Sequence, residues 1–108
     1  MSERGENAMV TLLRKRPSEL LNAHRDEVIE IAARHGGSNI LVFGSVARGD
    51  DTPDSDIDLI VSFEPGTLGL AGLIALEDEL AEALGVDVDV VSAGSERIEA
   101  VRRHSVAL

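Results

Sequence analysis

Apolar and polar positions along this chain follow two rhythms, and the switches between them divide it into elements. From Ser18 the apolar residues Leu20, Leu21, Val28, Ile31 and Ala32 recur at helical spacing. Ser18 is placed to cap the start and Gly36-Gly37 to stop the run, so the pattern predicts one long helix there. "NILVF", residues 39–43, reads as a short buried strand ending at Gly44, and "DIDLIVSF", residues 56–63, alternates with period two as a second strand. After the break at "PGTL", "LGLAGLIALEDELAEAL" predicts a helix closed by Gly85, with Glu77, Asp78, Glu79 and Glu82 on a solvated acidic face. "VDVDVV", residues 86–91, predicts a third strand, and "SERIEAVRRHSVAL" a short last helix with a tail.

Upstream of these elements the chain is polar, apart from "MVTLLRKR", which Pro17 follows closely. The expected organisation is a mobile N-terminal arm over residues 1–17 and a single domain over 18–108. Helices and strands in this order predict an α/β (α+β) fold, a small mixed sheet of three or more strands flanked by helices.

Composition narrows the function classes. The 108 residues suffice for one core, which aliphatic side chains must build almost alone, because there are two Phe and no Trp or Tyr. Twenty acidic against ten basic residues leave a net charge of -10, which repels nucleic-acid backbones and argues against direct DNA or RNA binding. The absence of cysteine removes disulfide frameworks and thiolate metal sites. With no signal-peptide core and no run of membrane-spanning length, a cytoplasmic protein without membrane contact is the expectation.

The chemistry concentrates in "FGSVARGDDTPDSDIDLIV", Phe43 to Val61, which carries aspartates at 50, 51, 54, 56 and 58. Residues two apart on a strand share a face, roughly 6.5 Å apart along the chain. Asp56 and Asp58 thus point one way while Ile57, Leu59 and Val61 point to the core. The third strand repeats the pattern, with Asp87, Asp89 and Val91 on one face and Val86, Val88 and Val90 on the other. If the two strands are neighbours, three or four carboxylates converge, a cluster that needs divalent cations to neutralise it. All-oxygen ligation suits Mg²⁺ or Mn²⁺. By itself, though, an Asp-x-Asp favours a solvated strand end. A calcium loop fails on spacing: counted from Asp54, Leu59 stands where glycine is needed and Pro65 where glutamate is needed.

Upstream, a glycine at a strand end followed by serine, Gly44-Ser45, lets backbone N–H groups and a hydroxyl approach an anion. Neither the P-loop nor the dinucleotide-binding pattern is present. The combination is specific: Gly-Ser, ten residues, then Asp-x-Asp arises by chance on the order of 10⁻⁵ per start position at average residue usage.

On Gly44-Ser45, Arg48-Gly49 and "SDIDLIV" from Ser55 to Val61, the chain resembles the minimal nucleotidyltransferases (MNT domains) of the DNA polymerase β superfamily. "LGVDVDVV" and the final "VAL" continue the likeness in the same order. The resemblance implies a polymerase β-like nucleotidyltransferase core. It also implies two Mg²⁺ ions bridged by Asp56 and Asp58, with Asp89, in Val88-Asp89-Val90-Val91, as third carboxylate and Asp87 as a surface neighbour. Gly44 and Ser45 would hold the β- and γ-phosphates of ATP. Arg48 either reaches the triphosphate or pairs with Asp50 or Asp54, Ser55 either caps or orients Asp56 or is an ordinary loop residue with no such role, and Asp50, Asp51 and Asp54 serve the turn and solubility. His24, His35 and His104 form no ligand pattern, and Arg97, Arg102 and Arg103 read as a solvated basic patch.

The implied reaction is attack of an acceptor hydroxyl on the α-phosphate, releasing pyrophosphate. Relatives of the MNT branch act as antitoxins, in hetero-oligomers with HEPN ribonuclease toxins, by transferring AMP to a toxin tyrosine. This chain has no tyrosine, so tyrosine self-modification is excluded. A binding-only antitoxin that masks its toxin is the alternative. Transfer to a small-molecule hydroxyl is a further one, disfavoured because no added domain is present.

Overall fold

The computed structural model describes residues 15–66, 69–94 and 103–108. Most of the apolar and basic piece of the expected arm, most of the predicted last helix, and Arg97 and Arg102 lie outside the described residues.

The chain runs α1 (Pro17–Ala23), α2 (Arg25–Arg34), β1 (Gly37–Phe43), α3 (Gly44–Arg48), β2 (Ile57–Phe63), α4 (Leu70–Leu84), β3 (Val88–Ser92) and β4 (Val106–Ala107). The strands form one mixed sheet in the order β3-β2-β1-β4. β1 is antiparallel to both β2 and β4, whereas β2 and β3 are parallel. A parallel neighbour needs a crossover, and α4 supplies it. The fourth strand falls where a tail was expected. Among the described residues no helix is long and apolar enough to cross a membrane.

The core is aliphatic, as the composition requires. Leu21, Val28, Ile31 and Ala32 from α1 and α2, and Leu76, Leu80 and Leu84 at four-residue spacing on α4, bury against Ile57, Leu59, Val61, Val88 and Val90 of the sheet. Truncating a fully buried leucine such as Leu80 costs roughly 2–5 kcal/mol.

The helix predicted from Ser18 is two helices. It begins one residue earlier, with Pro17 in the first turn and the Arg16 amide donating to Glu19 Oε1 at 2.8 Å, so Ser18 is not its cap. It breaks at His24, whose backbone (φ -110°, ψ 23°) ends α1 and whose carbonyl accepts the Val28 amide to start α2. The break is local: His24 Nδ1 meets Glu27 Oε1 at 3.1 Å, and Asp26 and Glu27 place negative charge in the new first turn.

β1 carries a bulge. Its register shifts between Ser38 and Leu41, and Asn39 sits at φ 50°, a conformation asparagine tolerates better than most residues. The extra residue sets the downstream register, so that Phe43 lies opposite Asp58.

Candidate active site

Parallel pairing of β2 with β3 places Asp58 beside Asp89, with Ile57 beside Val88 and Leu59 beside Val90. Paired residues share a face. The apolar partners fill the core, and both carboxylates therefore stand on the opposite face. Asp58 is half-buried, Asp89 is exposed, and Asp56 is exposed immediately before β2. Burial first, then the charges of Asp89 and Asp56, push the Asp58 carboxyl above its usual range, while Arg48 opposes the shift.

This donor set fits a hard divalent cation. It is all oxygen, and its mutual repulsion is what a bound cation relieves. Yet among the described residues no three acidic, histidine or cysteine side chains form a ready-made ligand cluster. The expected triad is brought to one end of the sheet without being closed into a cage.

The glycine-serine turn lies at the same end. Phe43 is extended, Gly44 turns the chain at φ 75°, and α3 begins at once. A Cβ on Gly44 would collide with Asp58 Oδ2 and come 3.4 Å from its Cγ, so glycine is required both by conformation and by the neighbouring carboxylate. Ser45 is half-buried in the first turn of α3, and its carbonyl accepts the Gly49 and Asp50 amides at 3.0 and 3.1 Å. Arg48 pairs with Asp50 (Nε to Oδ2, 3.2 Å) with both side chains largely exposed.

The aspartate loop departs from expectation at Asp51. That residue is buried at 4% exposure, and its Oδ2 accepts the Ser18 amide at 2.8 Å, so it serves packing and not solubility. Ser55 closes the loop: its hydroxyl accepts the Thr52 amide and its own amide donates to the Thr52 carbonyl, each at 2.9 Å.

The acidic face of α4 is also more than solvated surface. Glu77 Oε2 accepts the Val90 amide at 2.8 Å, occupying a backbone donor next to Asp89 on β3, an outer strand of the sheet among the described residues. Glu79 joins α4 to α2 through Arg34 (2.8 Å) and His35 (2.9 Å). Each partner lies 13 or more residues away, and periodicity carries no signal for such pairs. His104 and Arg103 are exposed, as expected.

Two apolar hollows, of about 430 and 250 Å³, flank β4, and neither is lined by Asp56, Asp58 or Asp89. The carboxylate end is thus a separate, polar surface.

Comparison with known proteins agrees with this geometry. Residues 22–107 match the nucleotidyltransferase domain family. The chain is 41% identical over 88 residues to the protein adenylyltransferase MntA of Thermococcus cleftensis, covering 82% of this chain and 83% of that protein. A solved structure provisionally assigned as a minimal nucleotidyltransferase is similar at TM-score 0.71 and 44% identity, over 84% of this chain and 95% of the other. A toxin-antitoxin crystal structure with AMP-PNP is similar at TM-score 0.58 and 32% identity, over 65% of this chain and 57% of the other. With Asp58 and Asp89 paired across parallel strands and a glycine-serine turn packed on Asp58, the chain belongs to the nucleotidyltransferase domain family, and within it to the minimal, adenylyltransferase branch.

Proposed function

We propose that this chain is a cytoplasmic antitoxin that transfers AMP from ATP, in a magnesium-dependent reaction, to a hydroxyl of a cognate HEPN ribonuclease toxin and so neutralises it. A tyrosine is the proposed acceptor. The observation that carries the reading is the register that sets Asp58 beside Asp89 on one side and Phe43-Gly44 on the other. The likeness to a protein adenylyltransferase and to a toxin-antitoxin structure with AMP-PNP supports the substrate class and the kind of partner.

Asp56, Asp58 and Asp89 are the residues that would hold the metal. When bound, divalent cations neutralise phosphate charge and stabilise both the attacking and the leaving oxygen. At the start of α3, Gly44 and Ser45 would present backbone N–H groups and a hydroxyl to the β- and γ-phosphates, and the lack of a Cβ at 44 lets this turn sit directly against Asp58. Asp89, exposed beside Asp58, accepts the proton of the attacking hydroxyl as the new oxygen–phosphorus bond forms and pyrophosphate departs. Arg48, held by Asp50, acts as a nearby positive charge on this site. Because Asp56 and Asp89 lie open, the acceptor-binding surface comes from the partner in a hetero-oligomer.

The test is the intact mass of the toxin after incubation with this chain and Mg-ATP, with an Asp56→Asn/Asp58→Asn double variant as control. A gain of whole AMP units with the wild type alone is expected. An unmodified toxin that still binds tightly would establish the masking antitoxin instead.

A further inference from the structure

Among the described residues Asp51 is the one buried charged side chain. Burying a carboxylate is costly unless polar partners compensate it, and a residue serving only a turn would be exposed, as Asp50 and Asp54 are in the same loop. Its partners lie 33 and 35 positions back in the chain. Oδ2 accepts the Ser18 amide at 2.8 Å, in the first turn of α1, where amides lack acceptors within the helix. Oδ1 lies 3.8 Å from Arg16 Nη1 without a hydrogen bond of its own, and the buried Ser18 hydroxyl likewise has no partner. Burial alone would raise this carboxyl; the Ser18 amide and nearby hydroxyl, with Arg16, outweigh it and keep the group ionised.

The loop is therefore fixed at both ends. Asp51 ties its beginning to α1, and the Thr52–Ser55 pair closes the segment that leads into Asp56. We infer that Asp51 is a positioning residue for adenylyl transfer: by pinning the aspartate loop to the first turn of α1, it sets where Asp56 stands relative to Asp58 and Asp89, whose own juxtaposition the β2–β3 register fixes. This rests on the proposed transferase reading, although the anchoring itself can be measured without it.

Asp51→Ala and Asp51→Asn are compared with the wild type, below their melting temperatures, for AMP transfer and for amide hydrogen exchange. Asparagine keeps an acceptor for the Ser18 amide and alanine does not. Asp51→Ala is expected to lower kcat at least about tenfold, the scale of a small misplacement of reacting groups, with KM for ATP changed by no more than about twofold. Exchange at the Thr52, Asp54 and Ser55 amides should quicken in this variant while that of Leu59–Val61 stays protected. Asp51→Asn should restore both readouts to near wild type. If Asp51→Ala does not fold, Asp51→Ser, too short to reach Ser18, takes its place. A folded variant with wild-type kcat, or with unchanged exchange in the loop, overturns the inference. If the wild type transfers no AMP, the functional reading fails, and the exchange measurement still decides whether Asp51 holds the loop.

Discussion

Gly44 and Asp58 are mutually constrained: the backbone of the first turns at φ 75° directly against the carboxylate of the second, leaving no room for a Cβ. The turn that would receive phosphates and the carboxylate that would hold the metal are therefore one packed unit. Gly44→Ala is expected to abolish transfer and to lower stability by about 1–3 kcal/mol, the scale of a residue forced into a sparsely populated conformation. In an Asp58→Ala background the same substitution should cost less, because only the backbone strain remains. A double-mutant cycle by chemical denaturation measures the difference, and additive costs would refute the contact.

Asp58 also links stability to pH. Its carboxyl is raised in the folded chain by burial and then by Asp89 and Asp56, so the native state binds the proton more tightly than the unfolded state does. Without divalent cations, its contribution to stability falls as the pH rises from the ordinary aspartate range through the raised value. Asp58→Asn should then melt above the wild type at neutral pH in EDTA, with the difference fading in acid. Magnesium should raise the melting temperature of the wild type and leave the variant unmoved. Thermal melts across pH, with and without metal, check both statements.

Asp51 has the opposite sign. Its partners hold it below its usual range, so its stabilisation is present above the unfolded pKa and is lost as the pH falls through the folded one. Asp51→Asn should destabilise the chain at neutral pH, and the gap to wild type should close in acid. The same melts report it, and a gap that widens on acidification would contradict the assignment.

The two aspartates of β3 and its approach should separate in activity. Asp89 pairs with Asp58, whereas Asp87 is exposed and contributes its carbonyl to the Ile57 amide at 2.9 Å. Asp89→Asn is expected to reduce kcat by at least about 100-fold, as loss of a positioned proton acceptor does. Asp87→Asn should stay within about twofold, as surface substitutions do. Steady-state transfer kinetics on the two variants decide it.

Glu77 guards the edge of the sheet beside this site. Glu77→Ala leaves the Val90 amide without its acceptor and should cost about 1–3 kcal/mol, while Glu77→Gln retains an acceptor and should cost less than about 0.5 kcal/mol. Denaturation and hydrogen exchange at Val90 are the measurements. Equal losses in both variants would point to the charge and not to the hydrogen bond.

Periodicity and short-range motifs in the sequence determined the strands through Phe43, Asp58 and Asp89, the helix ended by Gly85, the aliphatic core and the nucleotidyltransferase family. These features depend on residue type at fixed local spacing, which a chain carries before it folds. Tertiary structure alone decided the rest. The bulge at Asn39 sets Phe43 opposite Asp58, β2 and β3 pair in parallel with Asp58 beside Asp89, and Asp51 buries itself on Ser18. It also turned two acidic residues of α4 from expected surface into partners of Val90, Arg34 and His35. Each of these joins positions far apart in the chain, and the free energy of such a contact exists only once burial has excluded water and left a polar group in need of a partner.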